Sequence, residues 1–228
     1  PLFAVKTNSQ AMPGAMTANF ILESAGYGDL VKSGLTYAAS EDFQGYVAQA
    51  HLSETPPTTS ELIGYYRSFY ALLTVEQQAG LNGTFARFAF AAQTVTDSAD
   101  PANYAAMMAA TNTPTHLIEV VGNGSDNLSD QVIPNSVSST PFGGTEGAIA
   151  LLGLSGVSET TQDAESSVSG AVRYLFGHHG SILSPAPRAE APDAVMTGAA
   201  TAEMQSQVAN FFSSEGHLIT VQDVDVVN

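Results

Sequence analysis

Asp126, Asp130, His178 and His179 are the residues of this sequence whose types and positions suit proton transfer. A histidine acting as general base needs a carboxylate on its far nitrogen. The carboxylate fixes the tautomer and stabilises the imidazolium that forms when the ring takes a proton. Both aspartates follow an apolar run closed by Gly122-Asn123-Gly124, and a carboxylate just past the carboxyl end of a strand is where open α/β sheets place working groups. His178 and His179 follow a second apolar run about fifty residues on. Being adjacent, they point to different sides, so at most one can be the base. His179 is followed by the small residues Gly180 and Ser181.

Two strands would position these groups. His116 to Val121 mixes β-branched and apolar residues and ends at the glycine turn, which reads as a mostly buried strand; Ala171 to Phe176 reads as another. An acid after one strand and a histidine after the next match the last two members of a Ser, Asp, His order found in α/β-hydrolases. The nucleophile should then lie upstream of Asp130, and no Gly-X-Ser-X-Gly is present. Gly153-Leu154-Ser155-Gly156-Val157 lacks the second glycine in position, and Gly122 to Asp126 fails in the same way. The chain opens on an apolar, strand-like run without an initiator Met. The expectation is the C-terminal part of a larger hydrolase.

Val5-Lys6-Thr7-Asn8-Ser9-Gln10-Ala11-Met12-Pro13-Gly14, the His116 to Pro134 stretch and the Gly177 to Leu183 stretch together resemble the C-terminal half of the large extracellular lipases of Gram-negative bacteria. These are the virulence-factor lipases, which include phospholipase A1-like members. The resemblance covers most of the chain, and its specificity lies in the order and spacing of the three segments. It implies an α/β-hydrolase that cleaves carboxylic esters of lipids, triacylglycerol or phospholipid, at the cell surface or outside the cell. The serine elbow would lie on a segment just upstream, and the chain alone would be inactive without it. The family's acid falls at Asp130, before Val-Ile-Pro, with Asp126 the runner-up; its Gly-X-His pattern falls at His179, with His178 the runner-up. The structural alternative is that both aspartates cap turns and that the histidines pack. His51, His116 and His217 read as structural, with His116 at the solvent end of its strand.

Composition narrows the partners. Six Lys and Arg against 22 Asp and Glu give a net charge of −16, which excludes a nucleic-acid footprint and argues against electrostatic docking to an anionic membrane. There is no cysteine, so disulfides and thiolate chemistry are out. No run of eighteen apolar residues exists to span a membrane. Asp126, Ser129 and Asp130, or Asp223 with Asp225, could offer oxygens to a structural calcium, but neither set has the loop grammar of a calcium hand. Adjacent His178 and His179 cannot converge on a zinc ion. No cofactor is expected.

The organisation reads as α/β: the C-terminal part of a hydrolase sheet with an inserted helical cap or lid. Residues 1–14 would give a core strand at Leu2 to Lys6, left through the Pro13-Gly14 turn. Residues 15–113 would form the helical insertion, starting with two short helices broken at Gly26 and Gly28. Ser40 would start a third helix, and Leu62, Ile63, Tyr65, Tyr66, Phe69, Tyr70, Leu72 and Leu73 would form an aromatic face too broad for a lone surface helix. Phe85, Phe88 and Phe90 repeat the theme. An apolar helical core explains most of these side chains, and a lid over an acyl-binding cleft would use some of them, with Tyr65, Tyr66, Phe69 and Phe88 as candidate acyl contacts. Residues 114–215 would carry the acid and histidine loops, with a possible helix at Ala148 to Leu154 and the best helix of the chain at Thr201 to Phe212. Residues 216–228 alternate as a terminal strand or a small appended element. The rivals to a lipid esterase are another hydrolase of the same fold, such as a peptidase or small-ester esterase, and a non-catalytic helical binding module.

Overall fold

The computed structural model describes residues 5–228. It is a mixed α/β structure built around a three-stranded parallel sheet of order β1-β2-β4, made of Asn8–Ala11, Thr115–Val120 and Gly170–Tyr174. A second, antiparallel pair joins β3 (Thr161–Gln162) to β5 (Leu218–Ile219). Parallel neighbours need long crossovers. The first is the whole helical region: α1 (Thr17–Glu23), α2 (Gly28–Ala39), α3 (Glu41–Ala50), α4 (Thr59–Leu72), α5 (Val75–Thr96) and α6 (Pro101–Ala110).

Local chemistry sets these helices. Ser40 accepts from the Phe43 amide at the start of α3, Thr58 with Glu61 and Thr74 with Gln77 form capping boxes on α4 and α5, and Asp100 caps α6 ahead of Pro101. Their inward faces make a core of their own from Leu22, Phe43, Val47, Tyr66, Phe85 and Ala89. The sheet is covered on both faces. α8 (Ala194–Ser213) lays Ala200, Met204 and Phe211 against Ile118, Val120, Val172 and Tyr174, while α7 (Gly144–Leu152) sets Ile149 against Leu117 and Ala171. Coverage of both faces explains why β2 is buried throughout, His116 and Glu119 included.

Several boundaries differ from the sequence reading. Of the strand expected at Leu2 to Lys6, Leu2 to Ala4 lie outside the described residues, and Val5 to Thr7 are irregular. The strand beside β2 is the polar run Asn8–Ala11, joined by amides of Asn8 to Pro114 O (2.9 Å) and Met12 to Ile118 O (2.8 Å). Its side chains find polar or sulfur partners: Ser9 Oγ meets His116 Nδ1 at 3.0 Å, and Asn8 and Gln10 reach Met108 Sδ. Pairing and edge position thus override composition.

α7 begins four residues earlier than expected, inside a glycine-rich stretch that reads as a loop. Gly144 has φ +77°, and a Cβ there would lie 2.2 Å from the Pro134 carbonyl oxygen, so glycine serves close packing rather than looseness. α8 extends back to Asp193, whose carboxylate accepts from the Val195 and Met196 amides. The expected terminal strand shrinks to two residues of β5, yet the tail returns to the main sheet, where Leu175 N donates to Val226 O (2.9 Å) and Asn228 N to Arg173 O (2.8 Å).

Candidate functional site

Strand β2 ends at Val120 and the chain turns at Gly122, where a Cβ would lie 2.6 Å from Asn127 O and φ is +77°. That tight turn folds the following segment back until Asp130 N donates to Val120 O (3.1 Å). The Asp130 side chain is buried. Its Oδ1 accepts from the amides of Val132 (2.8 Å) and Ile133 (3.2 Å), which fixes the carboxyl plane and leaves Oδ2 to face outward.

The neighbouring strand β4 delivers the histidines. Gly177 adopts φ +110°, Ser181 Oγ accepts from His178 N (2.8 Å), and Ser181 N donates to His178 O (2.9 Å), making a tight turn. His179 is thereby turned toward the acid loop, and its Nδ1 lies 2.7 Å from Asp130 Oδ2. The carboxylate side chain is 1% exposed and the imidazole 35%. A carboxylate on Nδ1 places the ring proton there. Nε2 makes no hydrogen bond to the described residues.

The alternatives separate cleanly. His178 is 1% exposed, and its Nδ1 accepts from Gly180 N (3.0 Å) while its Nε2 donates to Ala186 O (3.0 Å). With both nitrogens engaged, it shapes the loop. Asp126 is exposed, accepts from Asn123 Nδ2 at 2.8 Å, and is held below the usual carboxylate range mainly by that bond. Asp126 caps the turn and does not meet a histidine. Among the described residues no group of three or more histidine, aspartate or glutamate side chains could hold a metal ion.

Asn127 escaped the sequence reading. Buried between the two loops, it accepts from Gly177 N (3.1 Å) through Oδ1 and donates to Gly177 O (3.0 Å) through Nδ2. The only signal was an asparagine in a turn, a position such residues hold for local reasons. His116 also departs from expectation. It is fully buried, between Ser9 Oγ and Gln207 Oε1 (3.2 Å), and burial lowers its pKa to about 4. Neighbouring β1 and α8 cover the strand end that would otherwise be open to solvent.

Of the four aromatic residues expected to contact an acyl chain, Tyr66 is buried in the helical core, and Tyr65, Phe69 and Phe88 pack against it half-buried. Tyr66 is 5% exposed, with Phe43 and Phe85 rings each 6.4 Å away. Phe69 packs on Phe43 at 5.1 Å, Tyr65 stands edge-on to His51, and Phe88 leans on the same cluster. Aromatic edge contacts contribute stability only when the rings meet each other. These rings hold the helices together, and Phe69 also lines a surface cavity of about 440 Å³ beside Ser40 and Leu73.

No helix among the described residues is long and apolar enough to cross a membrane. No protein-family model, curated protein or solved structure matches the chain.

Proposed function

We propose that Asp130 and His179 are the acid and base of a serine esterase of the α/β-hydrolase type, acting on carboxylic esters of lipids. The observation that carries this reading is the 2.7 Å contact between a buried carboxylate and Nδ1 of a histidine whose other nitrogen has no described partner. His179 Nε2 would take the proton of an attacking serine hydroxyl and then deliver it to the departing alcohol. Asp130 would hold the ring and offset the transient imidazolium charge. The nucleophile and the oxyanion amide that follows it would come from an upstream segment of the same protein.

The topology supports this assignment. Acid and histidine loops leave the same ends of adjacent parallel strands, where open α/β sheets bind ligands. Among the described strands, β1 pairs only with β2. Asn8 and Met12 donate toward β2, so the alternating Ser9 and Ala11 amides face the other way. An edge of that kind suits a further strand from the upstream segment, which would be an obligate partner if it were a separate chain. Lipid esters as substrates, and an extracellular or cell-surface location, rest on the resemblance of the three sequence segments. Tyr66 is buried in the helical core, so the substrate's acyl chain would be bound by other residues of the intact enzyme.

The test is hydrolysis of p-nitrophenyl esters of short and long acyl chains by a protein carrying both this chain and its upstream serine segment. Loss of turnover in His179→Ala, with the fold intact by circular dichroism, is the expected result. Full activity in that variant would remove His179 from the mechanism. A strict preference for short esters would point to the small-ester rival.

A further inference from the structure

Cations are scarce in a chain of net charge −16, and three of the six Lys and Arg pair with carboxylates. Lys6 pairs with Glu215, Arg67 with Asp29, and Arg173 with Glu119 and Glu146. Lys32 on α2, Arg87 and Arg188 have no carboxylate partner among the described residues, and of these three Lys32 alone is half-buried while the other two are exposed. Lys32 lines a surface cavity of about 580 Å³ between α1, α5 and the Ser138 to Thr140 loop. That volume falls within the range of small-molecule sites.

The cavity wall is apolar over most of its length. Leu22, Phe85, Ala86, Ala89 and Phe90 contribute to it, and Phe90 keeps 78% of its surface exposed. The lining runs along α5 from Asn82 to Gln93, which at 1.5 Å per residue makes a trough about 16 Å long. Glu23 is the one carboxylate in the lining. Its oxygens already accept from the amides of Ser138 (2.7 Å) and Ser139 (3.1 Å), so it is bound to the loop rather than to Lys32. A trough with an apolar wall along α5 and a single cation suits a ligand with one alkyl chain and one negative head.

We propose that this trough binds an unesterified fatty acid, its chain along α5 and its carboxylate at Lys32. The site uses neither Asp130 nor His179, so it stands apart from the esterase reading. If both hold, the trough would retain the acid released by hydrolysis.

Titration calorimetry of the full chain with sodium decanoate, below its micellar concentration, tests this. The expected result is saturable binding of one decanoate per chain. Lys32→Gln should weaken it about fivefold, as for a partly exposed ion pair, while leaving 1-decanol binding unchanged. Ala86→Trp, at an exposed position, should fill the trough and remove both ligands; Phe90→Ser provides a second lesion, with thermal melts reporting the fold of each variant. His179→Ala should bind decanoate normally, which distinguishes the trough from the esterase site. Absence of saturable binding, insensitivity to both Lys32→Gln and the wall variants, equal affinity for decyltrimethylammonium, or loss of binding in His179→Ala would each overturn the proposal.

Discussion

Asn127 grips both the amide and the carbonyl of Gly177, at 3.1 and 3.0 Å, and so locks the acid loop to the histidine loop just ahead of His178. Replacing Asn127 by alanine would leave two buried backbone groups unpaired, at a cost of about 1–3 kcal/mol each before water enters. Asn127→Ala is expected to lower the thermal midpoint by several degrees. If the proposed hydrolase reading holds, it should depress kcat more than it raises KM in the intact protein, since it holds Asp130 and His179 in place without touching substrate. An unchanged melting curve would show that the two loops need no such tie.

Asp130→Asn tests the tautomer directly. An amide can still hydrogen-bond Nδ1, but it no longer favours the proton on that nitrogen and cannot offset an imidazolium. The expected loss in the intact enzyme is about 10⁴-fold in kcat, by analogy with the same change in serine protease triads. Asp126→Asn, whose carboxylate faces only its own turn, should change turnover by less than about twofold, as for a surface substitution. Equal losses in the two variants would contradict the assignment of Asp130.

His178→Phe probes the other histidine. Both ring nitrogens of His178 are engaged in the turn, so phenylalanine fills the space but abandons the Gly180 amide and the Ala186 carbonyl. A destabilisation of about 1–2 kcal/mol is expected, since water can reach the half-buried Gly180 amide and the exposed Ala186 carbonyl, measured by urea denaturation. Any residual folded enzyme should keep its pH–rate profile. A shift of that profile would mean that His178 itself carries a proton in the reaction.

The meeting of Asp130 with His179 is legible because its signals are local: an apolar run, a glycine turn and a polar residue, repeated twice, in an order that matches adjacent parallel strands. The Ser40, Thr58 and Asp193 starts follow from cap chemistry, with Asp193 masked by Pro185, Pro187 and Pro192 just before it, whereas α1 and α2 begin at Met16 and Tyr27 without a side-chain cap. What could not be read depends on neighbours distant in the chain. β1 is polar, and only its pairing with β2 makes it a strand. Gly144 and Gly147 look like loop residues until Pro134 and Phe142 are seen pressing against them. The aromatic face of α4 was legible as needing a cover, but sequence could not say that Phe43 and Phe85 supply it. His116 and Glu119 lie on a strand covered on both faces, so their burial came from α8 and α7 rather than from their own sequence.

That burial predicts an unusual pH dependence of stability. Glu119 is fully buried on β2, beside Arg173 of β4, whose guanidinium is shared with Glu146 of α7. Arg173 Nε lies 3.0 Å from Glu119 Oε2, but its fork is aimed at Glu146, with Nη2 at 2.8 Å from both carboxylate oxygens. Burial first, and the Glu146 charge second, push Glu119 up to about 7. An acid whose folded pKa is raised favours the folded state at low pH, and that contribution is lost as pH rises from about 4.5 through 7. His116 does the opposite: held neutral by burial at about 4, it favours folding at high pH, and its contribution is lost as pH falls from about 6.5 through 4. Each shift corresponds to roughly 3 kcal/mol, so the two nearly cancel between about pH 4.5 and 6.5. Stability of the native chain should therefore be almost flat across that window. Glu119→Gln removes one arm and should leave stability rising with pH there; His116→Phe removes the other and should leave it falling. Urea midpoints at pH 4.5, 5.5 and 6.5 measure both slopes, and parallel curves for the two variants would rule out this pairing of opposed buried groups.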